Sequence, residues 1–550
     1  MKSCVFLIVI YSSILFAQAE FVDVSNRVYE FLDRMNYLNL LENYNSFQIP
    51  KTRKEISNYI KNLIDCQDKL DKADREFLEY LKIEFEYDLR GTLNHSSSLI
   101  SSSDYNLFSD TKKYFYFFSD KSKMNLFVNL IAEGELIFNK TSLNNSLSSA
   151  NLFNAGGEMR GTILDKVGFY LRGTNGVVSG NREAALTKQE LKYNFKFNEK
   201  LEERFYDETH AYISADFDLI KLKLARDRVN IGYGTEKFLL GNYSPLFDYF
   251  GLNLNYDFFS FDYLHAKLLG KTTYIVDTVS GDYFSMQEKY FAYHRLGFNV
   301  QPFFNVGVGE VVVYGDRALD LSYLVPFSFF KSIEHSNRDR DNTMLFIDFS
   351  SNVIPNSKFF FTFLIDDINF GKIGTGWWGN QTLFNAGIYT SPFYGFYPLE
   401  LKFEYLRLEP YTYTHRLNRN SFTQFGYNLS SFIQPNSELF LFGINYRFTD
   451  RLSLSMEFSY TNHGANILKE DGTIINVGGD INLGHRKFDS EVVKFLNGDL
   501  QIDRSVRAKF YYEPFNQLSF FLNFMYHNRS TNQKLAAEEI QLYCGTSIKF

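Results

Sequence analysis

Two adjacent tryptophans carry the most distinctive side-chain chemistry in this chain of 550 residues. Trp377 and Trp378 are its only Trp residues, and they lie in a Gly-rich stretch from Gly371 to Gly379. An indole ring can stack its apolar faces on a sugar ring, but Trp is also enriched in the aromatic girdle at a membrane–water interface. The sequence therefore leaves two interpretations open, a sugar-binding site and an interfacial anchor.

Catalytic motifs are not recognisable in the sequence. Ser, His and Asp are plentiful, but there is no Gly-x-Ser-x-Gly elbow, no His-Glu-x-x-His pattern and no paired Cys motif. Asp366 and Asp367 are adjacent, so they point to opposite faces of a strand and should lie near a rim; pairing with Arg is favoured over cation binding. We predict that the chain is not an enzyme and has neither a cofactor nor a metal site.

Nine further residues are candidates for a polysaccharide-binding site or for the lining of a lumen: Arg226, Arg228, Glu310, Arg317, Glu334, Arg340, Arg407, Tyr411 and His415. The five charged residues from Glu310 to Arg407 in this set fit a ladder of charges along a lumen. Such a ladder could be a path for an anionic sugar or an internal ion-pair network that braces a plugged barrel. The network is the favoured interpretation.

Arg226 and Arg228 share strand parity with Leu222 and Leu224, which are expected to face lipid. An Arg at the bilayer midplane costs roughly 2–4 kcal/mol. The chain should therefore leave the apolar band, or form a bulge, before Arg226.

The elements that must position these residues are strands. From about Tyr114 to the end, apolar residues recur at every second position, as in Leu452 to Tyr460 and Leu518 to Tyr526. Tight turns such as Thr449 to Arg451 alternate with long polar connections such as Ser332 to Asn342 and Asn462 to Asp489. Short turns on one rim and long loops on the other are typical of an outer-membrane β-barrel, and strands of about 9–11 residues predict about 18 strands, within 16–20.

The composition supports the barrel. The chain has 59 Phe and 38 Tyr, and 18% of it is aromatic, yet its mean hydropathy is −0.25. No stretch after the first segment is long and apolar enough for a transmembrane helix, whereas a barrel wall needs apolar residues only at alternate positions. A net charge of −7 with interspersed signs gives no reason to expect nucleic acid as a partner.

The first 90 residues follow a different pattern. Residues 1–19 read as a signal peptide, with Lys2, an apolar stretch and the small residues Ala17 and Ala19 at the cleavage site. Residues 20–90 have the 3.6-residue period of three amphipathic helices, and we predict a separate helical periplasmic domain and not a barrel plug. Residues 91–112 are expected to be a linker, and residues 113–550 the barrel.

The carboxy-terminal segment alternates through Leu542, Cys544, Thr546 and Ile548 to a final Phe550. A last strand that ends in an aromatic residue resembles the recognition signal of the barrel assembly machinery, which is therefore an expected partner. Cys66 and Cys544 remain after export, and the sequence does not decide whether they pair.

Several stretches occur in a fixed order: Arg226 to Arg228, Gly232 to Gly234, Phe238 to Asp248, Glu310 to Arg317, Tyr323 to Pro326, Glu334, Arg340 to Asn342, Phe363 to Ile368, and Glu404 to His415. Together with the segment from Val28 to Phe85, this order resembles the capsule assembly proteins of the Wzi family. The resemblance implies a barrel in the outer membrane of a Gram-negative bacterium, in contact with its lipid, that holds capsular or extracellular polysaccharide at the cell surface.

Two functional hypotheses follow. The first is a non-enzymatic, lectin-like barrel for surface attachment or assembly of polysaccharide, and the alternative is a porin for small solutes. The barrel architecture by itself serves both functions. The resemblance favours the first.

Overall fold

The computed structural model describes residues 18–99, 106–119, 121, 123–142, 146–199, 202–242, 244–300, 304–532 and 536–550. The predicted signal peptide lies almost entirely outside the described residues. Within the described ranges the dominant element is a closed antiparallel barrel of 18 strands, which confirms the predicted fold class and strand number. The barrel strands in chain order are β1 (Met124–Thr141), β2 (Ser146–Ile163), β3 (Val167–Gly180), β4 (Phe205–Asp216), β5 (Ile220–Asp227), β6 (Phe247–Tyr256), β7 (Phe259–Leu269), β8 (Glu288–Val300), β9 (Phe304–Gly315), β10 (Asn342–Ser351), β11 (Ser357–Asp367), β12 (Gln381–Thr390), β13 (Leu399–Leu408), β14 (Ser437–Thr449), β15 (Leu452–Ala465), β16 (Asp499–Phe515), β17 (Leu518–Thr531) and β18 (Ala537–Lys549).

The ring closes because β1 is long enough to pair with two segments along one edge. Its second half pairs with β18, from Thr141 opposite Glu539 to Ile131 opposite Lys549. Its first half pairs with a leading strand, Lys112–Ser119. Closure leaves no open sheet edge in the ring, which a membrane-spanning sheet requires since lipid offers no hydrogen bonds.

The period-2 pattern separates two faces of the wall. Outward residues such as Ile213 and Leu224 are exposed and apolar, whereas their inward neighbours, such as Ser214 and Lys223, are buried and polar. The same strands therefore present an apolar face to lipid and a polar face to the lumen, as the sequence predicts.

The two ends of the barrel differ. At the short-turn end, strands are joined by tight turns such as those between β14 and β15 and between β16 and β17. At the long-loop end, the connections include residues 228–246, 316–341, 368–380, 409–436 and 466–498. This asymmetry was predicted from the turn chemistry.

Four helices precede the barrel: α1 (Val28–Tyr37), α2 (Arg53–Asp65), α3 (Lys72–Glu84) and α4 (Glu86–Arg90). α2 begins at the predicted capping box, in which the Thr52 hydroxyl accepts from the Glu55 amide and the Glu55 carboxylate accepts from the Thr52 amide. The Asp71 carboxylate caps α3 by accepting from the Asp74 amide (2.8 Å). Helices α1 to α3 thus form where their apolar stripes predict them, and α4 is an additional short helix.

The expectation of a separate helical unit was wrong. The helices sit in the short-turn mouth of the barrel and share one hydrophobic core with its inner wall. The Tyr37 hydroxyl donates to Glu400 on β13 (2.5 Å), and the Phe47 ring lies 5.1 Å from that of Tyr233 and 6.2 Å from that of Phe346 on β10. The apolar faces of the helices are larger than helix–helix contact alone can cover, so the barrel wall completes their burial.

Three further segments enter or cover the lumen from the long-loop end. Residues 228–246 fold inward, and Gln48–Ile49 pairs with Asn230–Ile231 in a two-stranded sheet. Residues 409–436 place Tyr413 and Phe422 in the same core. The third segment, between β3 and β4, carries α5 (Arg182–Ala185), α6 (Gln189–Tyr193) and α7 (Phe195–Glu199).

The connection from β9 to β10 carries two more helices, α8 (Leu321–Leu324) and α9 (Phe330–Ser336). None of the helices in the described ranges is long and apolar enough to cross a membrane. Cys66, which follows α2, and Cys544 on β18 are both unpaired.

Asp74 offers a direct test of how the helices are held in the barrel. Its buried carboxylate bridges Arg34 of α1 (3.2 Å) and Arg447 of β14 (2.9 Å). The change Asp74→Ala leaves both cations without this partner, and we expect it to destabilise the docked helices by about 3–5 kcal/mol. Limited proteolysis of the folded barrel in detergent should then release the helical segment.

Glu76→Ala is the matched control on the same helix. Glu76 pairs only at 3.8 Å with Lys72, whose side chain is 91% exposed, so its removal should cost no more than about 0.5 kcal/mol. Equal protease resistance of the Asp74→Ala and Glu76→Ala proteins would contradict the proposed bridge.

Candidate functional site

Residues 368–380 and 466–498 meet at the long-loop end and enclose the two tryptophans. The Trp378 ring stacks on His485, with 3.9 Å between centroids and 7° between planes. Trp377 lies beside it at 5.7 Å, and the buried Tyr411 contacts Trp378 edge-on at 5.8 Å. We call these four side chains the Trp cluster.

A single carboxylate holds both indoles. Glu491 Oε2 accepts hydrogen bonds from Nε1 of Trp377 (3.2 Å) and from Nε1 of Trp378 (3.1 Å). The backbone adds a further link, because the Trp378 amide donates to the Glu491 carbonyl oxygen. The orientation of each ring is therefore fixed from two sides, and the indole N–H groups are not available to a ligand.

Close packing also limits which ring faces are open. A Cβ atom at Gly379 would lie 2.4 Å from the Trp377 ring, so only glycine permits this approach. The Lys372 ammonium stands 4.2 Å from the centroid of the same ring, a cation–π geometry. Both Trp side chains remain half-buried, and the cluster combines apolar ring surface with a cation at its edge.

Two sequence-predicted residues lie deeper behind this surface. The Tyr411 hydroxyl donates to the Asn476 carbonyl oxygen (3.1 Å), and burial raises the pKa of Tyr411. Burial also lowers the pKa of His415 to about 4, so this imidazole is neutral near pH 7. The structure thus brings Tyr411 into contact with the predicted tryptophans, whereas His415 serves the packing of residues 409–436.

The predicted charge ladder does not line the lumen. Glu310 on β9 and Arg407 on β13 point to the outer face of the wall, because the residues on either side of each in the strand point into the lumen. Arg407 pairs with Glu409 at 2.6 Å and covers the Phe495 ring at the long-loop rim. The sequence predicts the alternation, but the lumen assignment was wrong because no pattern marks which parity faces inward near a strand end.

The rest of the ladder belongs to the connection between β9 and β10. Arg317 forms a bidentate pair with Asp341, with both N–O distances at 2.7 Å, and also contacts Asp320. Glu334 pairs with Lys331 at 2.6 Å on α9, and Arg340 is exposed. These residues lie against the outer surface of the barrel wall. The region from Ser332 to Asn342 therefore does not project from the long-loop end.

Arg226 and Arg228 separate at the end of β5. Arg226 lies on the outer surface, where it pairs with Asp248 at 3.0 Å, and the strand ends one residue later. Arg228 turns to the inner side and contacts Glu208 at 3.1 Å. β5 continues through Arg226 without a bulge, so the expectation that the chain leaves the apolar band before Arg226 stays a prediction.

Arg228 belongs to an inner-wall network that the sequence did not reveal. His210 lies between Glu208 (2.7 Å) and Asp227 (3.1 Å), and Lys223 contacts Asp227 at 2.7 Å. These residues share inward parity on β4 and β5, but charged residues on the lumen face are common in barrels. Only the pairing of the two strands shows which of them meet.

Asp366 and Asp367 point to opposite faces at the end of β11, as predicted. Asp366 is buried and accepts from the Tyr413 amide (2.5 Å), while Asp367 is exposed. Asp366 therefore fastens residues 409–436 to the wall. In the described part of the chain, no group of three or more His, Cys, Asp or Glu residues has an arrangement that could hold a metal ion.

One sequence family matches more than half of the chain. The sequence profile of the family described as Capsule assembly protein Wzi matches residues 136–513. Wzi of Escherichia coli, an outer-membrane protein involved in group 1 capsule assembly and described as a carbohydrate-binding β-barrel, has a similar structure, with a TM-score of 0.55 and 11% sequence identity over 97% of this chain and 100% of that one.

Barrels of other families are less similar. OprE of Pseudomonas aeruginosa has a TM-score of 0.44 and 10% identity over 77% of this chain and 98% of its own. OpdO of the same organism has a TM-score of 0.42 and 12% identity over 77% and 97%. A search of curated protein sequences found no match.

Intrinsic fluorescence reports on the Trp cluster alone, because the chain has two Trp residues and both belong to it. The change His485→Ala opens one face of Trp378 to water, and we expect a red shift of the emission maximum with the barrel intact. His335→Ala is the control, since His335 lies on α9 and its side chain is 63% exposed. An unchanged spectrum for His485→Ala would exclude the stacked geometry.

Proposed function

Because the chain belongs to the Wzi family of capsule assembly proteins, we propose that it holds capsular or extracellular polysaccharide at the cell surface through its long-loop end. The protein is an outer-membrane β-barrel. The observation that carries the proposal is the Trp cluster: half-buried indole rings in fixed orientation on the loops farthest from the helical plug.

The proposed orientation follows from the two ends of the barrel. Short turns face the periplasm and long loops face the exterior in bacterial outer-membrane barrels. On this basis the helices of residues 20–90 lie in the periplasmic mouth, and the Trp cluster meets the extracellular medium. The linker at residues 91–112 would then enter the barrel wall from the periplasmic side.

The chemistry of the cluster suits an acidic sugar chain. Aromatic rings provide apolar faces for the C–H surface of a pyranose, and preorganised rings lose little conformational entropy on binding. Lys372 at the cluster edge can contact a uronate or another anionic substituent of the same chain. Two arginines, Arg407 and Arg486, lie on the same rim. Each already forms a salt bridge with an acidic residue.

The segments that fold into the lumen support an anchor over a porin. Helices α1 to α4 occupy one mouth, and residues 228–246 and 409–436 occupy the interior. Porins keep an aqueous channel of polar, solvated side chains, whereas here Tyr233, Phe238 and Tyr413 form a continuous core within the described ranges. That the protein has no enzymatic activity, and that the barrel assembly machinery inserts it, remain predictions.

The double change Trp377→Ala/Trp378→Ala tests the proposal. Loss of two stacking rings should reduce the polysaccharide retained on cells several-fold, since one aromatic contact contributes about 0.5–1.5 kcal/mol. The proportion of cell-bound to shed polysaccharide is the measurement, and heat-modifiable migration in detergent gels should stay normal because the rings pack on the long loops and not in the core inside the ring.

Phe396→Ala/Tyr397→Ala is the matched control. Phe396 is 86% exposed and both rings lie on the turn between β12 and β13 at the opposite end, so their removal should leave retention unchanged. If the Trp variant retains polysaccharide normally while reconstituted bilayers show large conductance, the porin alternative replaces the anchor.

A further inference from the structure

A segment of this chain covers the outside of the barrel wall. Residues 316–341, which we call the flap, connect β9 to β10 and carry α8 and α9. The wall residues beneath it have outward parity but almost no exposure: Tyr263, Ala292, Val312 and Tyr314 are each at most 1% exposed. Elsewhere on the same face of the wall, Val308 and Ile347 are 46% and 43% exposed.

Polar groups of the wall hold the flap in place. The outward carboxylate of Glu310 accepts from the backbone amides of Phe330 (2.7 Å) and Lys331 (3.2 Å) where α9 begins. His294 lies 3.1 Å from Glu310 and donates from Nδ1 to the Pro326 carbonyl oxygen (2.9 Å). These two polar side chains in the middle of the outer wall are thereby hydrogen-bonded by the flap instead of by water.

A second set of contacts fastens the base of the flap. Arg317 holds Asp341 through two bonds, and the Tyr323 hydroxyl donates to the same carboxylate (2.8 Å). The Tyr263 hydroxyl of the wall donates to the Tyr323 carbonyl oxygen (2.8 Å). These contacts tie the two ends of the flap to each other and its middle to β7.

The flap reaches well down the wall. The Phe327 ring stacks on Phe261, the third residue of β7, at 4.5 Å. Phe261 is eight residues from the end of β7 at the long-loop rim, which is about 26 Å along the strand and about 20 Å along the axis of a tilted barrel. The apolar outer band of such barrels is about 25 Å tall, so this depth lies within it.

The outer face of the flap is apolar. Its exposed side chains continue the lipid-facing belt of the barrel over the covered strands: Leu321 (73% exposed), Val325 (52%), Phe327 (71%) and Phe329 (58%). From residue 319 to residue 330 the only charged residue is Asp320, whereas the returning half, residues 331–341, is strongly polar.

We infer that the flap is embedded in the outer membrane and binds the acyl chains of its lipids through Leu321, Val325, Phe327 and Phe329. The flap contacts lipid and separates Glu310 and His294 of the wall from it. Binding of the sugar chain is assigned to other loops. The inference depends on the membrane location of the barrel and not on polysaccharide binding, so the two can fail independently.

Fluorescence quenching in proteoliposomes tests the inference. In a Trp377→Phe/Trp378→Phe background, Phe327→Trp places a single indole on the flap face, and Val325→Trp gives a second reporter. Lipids brominated on the acyl chains should quench both reporters strongly, and aqueous iodide should quench them weakly. Heat-modifiable migration confirms that each variant is folded.

Two references calibrate the result. Leu224→Trp in the same background lies on the bare lipid-facing wall, where Leu224 is 61% exposed, and the native protein supplies indoles at the long-loop end. Quenching of the flap reporters that matches Leu224→Trp supports the inference. Iodide quenching of the flap reporters that matches the native protein would overturn it. Shielding from both quenchers, as contact with a second copy of the chain would produce, would also overturn it.

Removal of the fastening group gives an independent readout. Glu310→Ala deprives two flap amides of their acceptor and His294 of its partner, so the Phe327→Trp reporter should lose most of its bromine quenching. Glu288→Ala is the matched control, because Glu288 is an outward acid of β8 that pairs with the exposed Lys267 and does not contact the flap. Unchanged quenching in the Glu310→Ala protein would contradict the role assigned to the wall.

Discussion

An 18-stranded ring encloses more space than its inward side chains can fill, and the other segments of the chain are placed by how they occupy that space. The helices α1 to α4 enter it from one end, and residues 228–246 and 409–436 enter it from the other. These segments meet inside the ring, where Gln48–Ile49 pairs with Asn230–Ile231. The same packing positions the long-loop end, because residues 228–246 and 409–436 are themselves connections of that end.

Buried charges specify this arrangement more than they stabilise it. Arg295 of β8 forms a bidentate pair with Asp348 of β10, and its guanidinium lies 4.1 Å from the Phe47 ring of the helical segment. The Glu404 carboxylate of β13 accepts from the Thr235 amide of the inward segment. A buried pair gains little over a well-packed apolar one, but a misplaced segment would leave its partner unpaired at a cost of several kcal/mol.

The same reasoning applies to the outer wall. A barrel strand tolerates charge on its lipid face only near the rims, yet Glu310 and His294 lie midway along β9 and β8. Backbone donors and acceptors of the flap form hydrogen bonds with Glu310 and His294. The flap then presents its own apolar surface to the lipid in place of these polar side chains. The Trp cluster is held by a comparable device, in which Glu491 satisfies two indole N–H groups so that the rings keep one orientation.

Local patterns in the sequence were enough to predict the barrel, its strand number of about 18 and the first three helices. Alternation at period 2 in stretches such as Leu518 to Tyr526 fixes a two-faced strand, and the Thr52–Glu55 capping box fixes a helix start; both signals are local and need no knowledge of the partner. The asymmetry of short turns and long loops is equally local. Short motifs in a fixed order were enough to indicate the Wzi family.

Where the motifs meet could be read only from the folded chain. Glu310, Arg317 and Glu334 suggested a lumen ladder, but together with Tyr323 they assemble the flap on the opposite face of the wall. The helical segment was expected to stand alone, but its apolar faces are completed by β10 and β14. In both cases the reason is physical: alternation and amphipathicity say that a face is buried or exposed, whereas which surface buries it depends on contacts between residues hundreds of positions apart, such as Arg34 with Ser391.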